Sequence, residues 1–241
     1  MFIVIRKELA ESLRNRQFML TGLLMPIFFT GMAVFQFKML GHATSGRDAG
    51  KAASLAAGTV LMFLSLVPTI SSQILAAYSF AGEKVQKTLE PLLATPLSDA
   101  ELLFGKLLAA WLPGQIIGWA SIAAFLVLSG WTDSSSNASD ILPAPLVLLV
   151  ALVLQPLVGM LPCLLTLIVS SRVSEVRAAM QWGGLGVLPI VLMLIAFSVV
   201  GMRYGVLVLG VGVVLIFGAN LVLFILALAL FSRERLISKW T

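Results

Sequence analysis

The chain has 241 residues, of which 59% are hydrophobic and 11% are charged, and its mean hydropathy is +1.04. An ordinary soluble domain carries roughly 25% charged residues, so this composition excludes a soluble fold and predicts an integral membrane protein. The net charge of +5 is scattered over short loops, which favours a role in orienting helices over binding to nucleic acid.

Six runs without Asp, Glu, Lys or Arg, each between 21 and 31 residues long, predict six transmembrane helices. A helix needs about 20 mostly apolar residues to cross the hydrocarbon core, whereas barrel strands would alternate over about 10 residues. The fold class is therefore predicted to be all-α, with a single transmembrane permease domain over 1–241. The predicted spans are about 17–37, 53–81, 102–130, 143–170, 180–201 and 206–231.

The distribution of basic residues predicts that both termini are cytoplasmic. An even number of spans places the termini on one side, and this choice leaves 12 Lys and Arg residues inside and 4 outside, as the positive-inside rule requires. Residues 2–16 carry apolar side chains at helical spacing, which favours an N-terminal amphipathic helix in the membrane interface. A solvated extension of the first span is the alternative. A tight turn at 201–205 is predicted to join the last two spans.

Proline, glycine and amide residues mark the interior of the predicted spans. Five of the six spans contain proline, which removes a backbone hydrogen bond and can bend a helix. Gly114 and Gly118 form a GxxxG motif, which indicates a close helix contact. Four polar residues are candidates to line a translocation path, although such residues usually form interhelical hydrogen bonds. They are Gln73, Gln115, Gln155 and Asn220.

No part of the sequence predicts catalysis by this chain. Gly50-Lys51 and Gly105-Lys106 lack the Ser or Thr that follows the lysine of a P-loop. One cysteine, Cys163, and one histidine, His42, exclude an intrachain disulfide and a CxxC metal site. We therefore predict no catalytic residue, no metal site and no cofactor bound by this chain. The absence of ionisable residues in the middle of the spans argues against a proton-coupled carrier.

The most informative stretch is the predicted cytoplasmic loop between spans two and three, residues 83–97. Thr88 suits a helix N-cap, Pro91 the first turn and Pro96 the helix end. Ser98 and Glu101 then have the spacing of a capping box that begins the next helix. Leucines share one face of the short helix and charged residues surround them: Leu89, Leu92 and Leu93, with Glu83, Lys84, Lys87 and Glu90. Such a helix suits a groove on a partner, and an interfacial helix that touches only lipid is the alternative.

This loop resembles the signature of the ABC type-2 transporter permeases. The elements that carry the resemblance are Glu83-Lys84, Thr88-Leu89-Glu90, Leu92-Leu93, Thr95-Pro96-Leu97-Ser98 and Gly105-Lys106. Near the N-terminus, Lys7-Glu8-Leu9, Leu13-Arg14 and Pro26 are similar to the opening pattern of the same family. Six spans with both ends inside extend the resemblance over the whole chain.

The resemblance implies the membrane half of an ABC exporter in the plasma (inner) membrane. Two permease chains, expected as a homodimer in lipid, would pair above two separate ATPase subunits that hold the ATP and magnesium. Residues 83–97 would be a coupling helix docked in a cleft of the ATPase, and residues 2–16 the interfacial helix. The implied coupling residues are Glu83, Lys84, Lys87, Thr88, Leu89, Glu90, Leu92, Leu93 and Pro96.

Two other functions fit a six-helix membrane protein: a non-transporting scaffold or assembly factor, and a secondary carrier. The coupling-type loop counts against both, and the lack of intramembrane charges counts against the carrier. The sequence does not specify a substrate.

Overall fold

The computed structural model describes residues 16–42, 49–86, 98–132 and 144–230, and within these ranges every regular element is a helix. The elements are α1 (Arg16–His42), α2 (Ala49–Ala77), the π-helical turn π1 (Tyr78–Gly82), α3 (Glu83–Gln86), α4 (Asp99–Thr132), α5 (Ala144–Leu149), the turn π2 (Val150–Leu154), α6 (Gln155–Arg172), α7 (Val176–Gly184) and α8 (Val187–Leu230). The all-helical prediction is confirmed for these ranges. Most of the predicted interfacial helix 2–16 lies outside them.

Five helical stretches in the described part of the chain are long and apolar enough to cross a membrane. They are Ala57–Val85, Asp99–Ser129, Val147–Arg172, Val176–Ala196 and Leu209–Leu230, and a shorter apolar stretch, Leu24–Met39, lies in α1. These helices support an integral membrane protein. The count of six spans and the cytoplasmic placement of both termini stay predictions.

The chain reverses direction within the helical stretch α8. A straight helix would hold residues 193 and 212 about 28 Å apart. A Cβ added at Gly212 would nevertheless collide with the Met193 side chain, so the chain folds back between these two residues. The predicted link at 201–205 lies inside this interval, and the helical assignment runs through it from Val187 to Leu230.

The predicted fifth span, 180–201, starts earlier in the structure and is interrupted by a turn. A separate short helix, α7, starts at Val176 and ends at Gly184, and the chain then turns at residues 185–186 before α8. The turn packs tightly on α6, because a Cβ at Gly186 would come within 3.0 Å of the Pro162 Cα. The stretch Val176–Ala196 is thus interrupted by a two-residue turn, where glycine permits close backbone contact with α6.

The second helix, α2, is the centre of the bundle and packs against α1, α4, α6 and α8. It contacts α4 so closely that no side chain fits at Gly114 or Gly118. A Cβ at Gly114 would lie 2.9 Å from the Ser72 amide nitrogen and 3.1 Å from the Pro68 carbonyl, and one at Gly118 would lie 3.0 Å from the Pro68 Cβ. The close helix contact predicted from the GxxxG motif is confirmed.

Side chains from neighbouring helices satisfy backbone carbonyls near the prolines. Pro68 lacks the N–H that would bond the Leu64 carbonyl, and the Gln155 amide donates to that carbonyl at 3.5 Å. The turn π2 precedes Pro156, and the Trp119 indole N–H donates to the Ala151 carbonyl in that turn at 2.8 Å. These carbonyls are therefore hydrogen-bonded, as membrane interiors require.

Candidate functional site at the exit of the second span

The predicted coupling segment, 83–97, is described only at its beginning. Glu83 and Lys84 lie in α3, directly after π1. The other predicted coupling residues lie outside the described part of the chain: Lys87, Thr88, Leu89, Glu90, Leu92, Leu93 and Pro96. The structure therefore shows how the segment leaves α2 and how the chain re-enters the bundle at α4.

The turn π1 is stabilised by a serine hydroxyl from α6. In an α-helix the Ala81 amide would donate to the Ala77 carbonyl. The Ser170 hydroxyl instead accepts from the Ala81 amide at 2.9 Å and the Phe80 amide at 3.2 Å, and donates to the Ala77 carbonyl at 3.0 Å. The hydroxyl uses its one donor and both acceptor positions, so the widened turn keeps these backbone groups bonded.

A buried ion pair lies immediately after the turn. The Lys106 Nζ is 2.9 Å from a Glu83 carboxylate oxygen, and the two side chains are 0% and 6% exposed. Lys106 also donates to the Ser79 carbonyl at 2.8 Å and lies 4.7 Å from the centre of the Phe80 ring. Two charges withdrawn from water are tolerated best when they are paired, and here Glu83 and Lys106 pair with each other while Lys106 also bonds the Ser79 carbonyl.

Lys84 joins the start of the segment to the end of α6. Its Nζ donates to the carbonyls of Ser171 at 2.7 Å and Val173 at 3.0 Å, with a longer contact to Ser170 at 3.4 Å. The last carbonyls of a helix have no intrahelical partner and carry partial negative charge. An ammonium group here therefore stabilises the end of α6. We call π1, Glu83, Lys84, Lys106 and Ser170 together the exit junction.

The exit junction corrects one expectation from the sequence. Glu83 and Lys84 were expected to present their charges around a groove on a partner. Glu83 is instead 5% exposed, and its carboxylate faces Lys106, while Lys84 donates to carbonyls at the end of α6. The physical reason is the extra residue in π1, which rotates the following residues relative to an unbroken α-helix.

The predicted capping box forms where the chain re-enters the bundle. The Ser98 amide and hydroxyl donate to the Glu101 carboxylate at 2.9 Å and 2.8 Å, and the Glu101 amide donates back to the Ser98 hydroxyl at 3.3 Å. Helix α4 begins at Asp99. The segment between α3 and α4 is therefore anchored at both ends.

Ser98→Ala is expected to loosen the first turn of α4, because the alanine cannot accept from the Glu101 amide. That amide should exchange with solvent roughly fivefold faster, the usual effect of losing an N-cap hydrogen bond. Hydrogen exchange of the protein in nanodiscs measures this rate. Ser98→Thr keeps the hydroxyl and is the control. Equal exchange rates of the Glu101 amide in all three proteins would show that the capping box does not stabilise the first turn of α4.

The four polar residues proposed for a translocation path lie in contacts between helices. Gln73 donates to the Met180 carbonyl at 2.7 Å, and Asn220 to the Leu157 carbonyl at 3.0 Å. Gln155 donates to the Leu64 carbonyl beside Pro68, and Gln115 is fully buried where a Cβ at Gly159 would collide with its amide. Interhelical hydrogen bonds explain Gln73, Gln155 and Asn220 as packing groups, and the role of all four residues in a path stays a prediction.

An open recess of about 620 Å³ lies beside the exit junction. It separates the exposed Val85, just after the junction, from the start of α7, where Glu175 and Arg177 are exposed. The remaining lining residues are Tyr78, Ser174, Val176 and Met180. Among the described residues, no group of three or more His, Cys, Asp or Glu is arranged to hold a metal ion.

Sequence reasoning did not identify Lys106 or Ser170 as parts of the site. Lys106 was interpreted as a cytoplasmic basic residue and as part of the Gly105-Lys106 element of the loop signature, and Ser170 was not singled out. The sequence did contain a signal for Lys106, because Glu83 and Lys106 are the outermost charges of the loop signature and flank the two apolar runs. No comparable signal exists for Ser170, whose role depends on the π-helical geometry of another helix.

Two comparisons with known proteins relate to this architecture. The family model described as "ABC-2 family transporter protein" matches residues 2–209. The chain is also similar to the probable ABC transporter permease protein NosY of Pseudomonas aeruginosa, with 30% identity over 122 residues. That alignment covers 51% of this chain and 42% of the relative.

Proposed function

We propose that this chain, which belongs to the ABC-2 transporter family, is the permease subunit of an exporter driven by a separate ATPase. The family and the apolar helices support an integral membrane subunit of an ABC transporter. The ATPase would bind ATP and magnesium, hydrolyse the ATP and pass the resulting motion to residues 83–97. The chain would carry out no catalysis itself, and two copies would pair in the plasma membrane above two ATPase subunits.

The exit junction is the observation that carries this proposal. A segment that transmits force must be attached firmly to the helices it moves. Residues 83 and 84 are bonded to α4 through Lys106 and to α6 through its last carbonyls, and Ser98 caps α4 at the other end. A push on the segment would therefore reach α2, α4 and α6 together.

The same observation bears on the alternatives. A scaffold or assembly factor needs no such attachment, because a loop that only binds a partner can be joined flexibly to its helices. A secondary carrier usually places ionisable residues on its substrate or ion path. The buried charges described here, Glu83 and Lys106, bond each other at the end of the spans instead, which favours a structural use over ion transport.

Leu92→Asp is the sharpest test of ATPase docking. A carboxylate on the leucine-lined face of the segment would oppose burial in an apolar groove, so we expect a large loss of ATPase co-purification and of ATP-driven export. Both are measured on the complex in nanodiscs and proteoliposomes, with a co-expressed ABC ATPase as the partner. The matched control is Ala100→Asp, which adds the same charge at an exposed position of α4.

The outcomes separate the functions clearly. If Leu92→Asp retains both the ATPase and transport, the coupling role of the segment is wrong. If the unchanged protein binds an ATPase but never stimulates it or transports anything, the scaffold function replaces the exporter. Transport that continues without ATP and follows an ion gradient would indicate the carrier.

A further inference from the structure

We propose that Ser170 and Lys106 are positioning residues for energy coupling, because together they set the direction in which the coupling segment leaves the second span. This inference rests on the proposed function for its role in coupling, but its structural part stands independently. The two residues come from different helices, α6 and α4, and both bond to backbone groups of the same turn, π1.

Ser170 occupies the place of a missing backbone bond. The Ala81 amide and the Ala77 carbonyl are partners in an α-helix, and here the Ser170 hydroxyl lies between them, accepting from one at 2.9 Å and donating to the other at 3.0 Å. A hydroxyl inserted in this way stabilises a π-helical turn at a fixed position in the helix. Without it, the two groups are free to bond each other directly.

Lys106 occupies the place of a second missing backbone hydrogen bond. In an α-helix the Glu83 amide would donate to the Ser79 carbonyl. That amide donates to the Phe80 carbonyl instead, and the Lys106 ammonium donates to the Ser79 carbonyl at 2.8 Å. The same ammonium pairs with the Glu83 carboxylate at 2.9 Å. Lys106 thus bonds both the turn and the first residue of the coupling segment.

Closing π1 to an α-helical turn would turn the coupling segment to a new direction. Removing the extra residue rotates everything after Gly82 by about 100° and shifts it by about 1.5 Å along the axis. Glu83 would then leave Lys106, and Lys84 would leave the end of α6. A displacement of α4 or α6 relative to α2 is therefore linked to the direction of the segment, and the linkage acts in both directions.

Ser170→Ala tests the structural part, with Ser171→Ala as the matched control. The Ser171 hydroxyl donates only within its own helix, to the Ile168 carbonyl at 2.7 Å, and the mutation keeps the Ser171 carbonyl that Lys84 uses. Spin labels are placed at Val85→Cys and Arg177→Cys, both exposed and both lining the recess. The native Cys163 is fully buried and does not label.

In nanodiscs, the distance distribution of Ser170→Ala should gain a component displaced by about 5 Å, the shift expected for a rotation of about 100°. Ser171→Ala should match the parent. Lys106→Met is the second variant and should shift the distribution in the same way. Distributions identical to the parent in both variants would overturn the proposal, whether or not their thermal stability changes.

The role of Ser170 in energy coupling is tested by a separate measurement of ATP hydrolysis. ATP hydrolysis is measured for the ATPase alone and for the assembled complex. In Ser170→Ala the stimulation by the permease should fall roughly tenfold, the change expected when one state loses a hydrogen bond or two, while co-purification is retained. A displaced segment with unchanged stimulation would remove the positioning role. If the parent complex contains no ATPase, the proposed function fails and the distance result still decides the structural part.

Discussion

Lys106→Met should destabilise the bundle by about 3–5 kcal/mol, the usual result of removing one partner of a buried ion pair. Methionine retains much of the contact with the Phe80 ring but cannot neutralise Glu83, whose side chain is 6% exposed. The Ser79 carbonyl also loses its charged donor. The free energy of unfolding is measured by denaturant titration of the protein in lipid nanodiscs.

The double variant Glu83→Gln/Lys106→Met is the control that separates charge from packing. Without either charge, no carboxylate is left buried and unpaired, so most of the lost stability should return. The two single variants and the double variant complete a double-mutant cycle, which yields the coupling energy of the pair. A coupling energy near zero would contradict the assignment of Lys106 as the partner of Glu83 in the folded membrane protein.

The apolar helices and the close contact between α2 and α4 could be predicted because they depend on local sequence. Long uncharged runs identify the apolar helices, and the spacing of Ser98 and Glu101 identifies the start of α4, since a capping box involves only four consecutive residues. Gly114 and Gly118 likewise indicate a close contact, because only small residues allow two helix backbones to approach.

The inward position of Glu83 could not be predicted in the same way. Helical periodicity extrapolated from α2 assumes 3.6 residues per turn, and π1 breaks that assumption one turn before Glu83. The π turn is itself stabilised by Ser170, which is 93 residues from Ala77 in the chain. A local pattern carries no information about such a contact, so the sequence predicted that Glu83 faces outward, whereas its side chain is buried against Lys106.

The interruption between α7 and α8 escaped prediction for a related reason. Gly183, Gly184 and Gly186 lie within an apolar run that otherwise favours one continuous span. Their effect depends on what they pack against: Gly183 lies directly on the Thr166 side chain and Gly186 on Pro162 of α6. Composition shows that glycine is present, and only the tertiary contact shows that the chain turns there.

Gly114→Ala should destabilise the fold by about 1–3 kcal/mol, the cost of forcing one extra carbon into a well-packed contact. The added Cβ would lie 2.9 Å from the Ser72 amide nitrogen and 3.1 Å from the Pro68 carbonyl oxygen, and it would also collide with the Ser72 hydroxyl. The hydroxyl can rotate away, but the two backbone atoms move only if α2 and α4 separate. Separation would weaken the contacts between the central helix and α4.

Gly218→Ala is the matched control, because nothing lies within 4 Å of the Cβ that it would add. Both variants replace a helical glycine in an apolar span, and this replacement normally stabilises a helix by roughly 0.5–1 kcal/mol. In nanodiscs, the midpoint temperature of thermal unfolding should therefore fall for Gly114→Ala and stay unchanged or rise for Gly218→Ala. An increase in both would show that α2 and α4 are farther apart than these distances require, and the close packing at Pro68 would have to be abandoned.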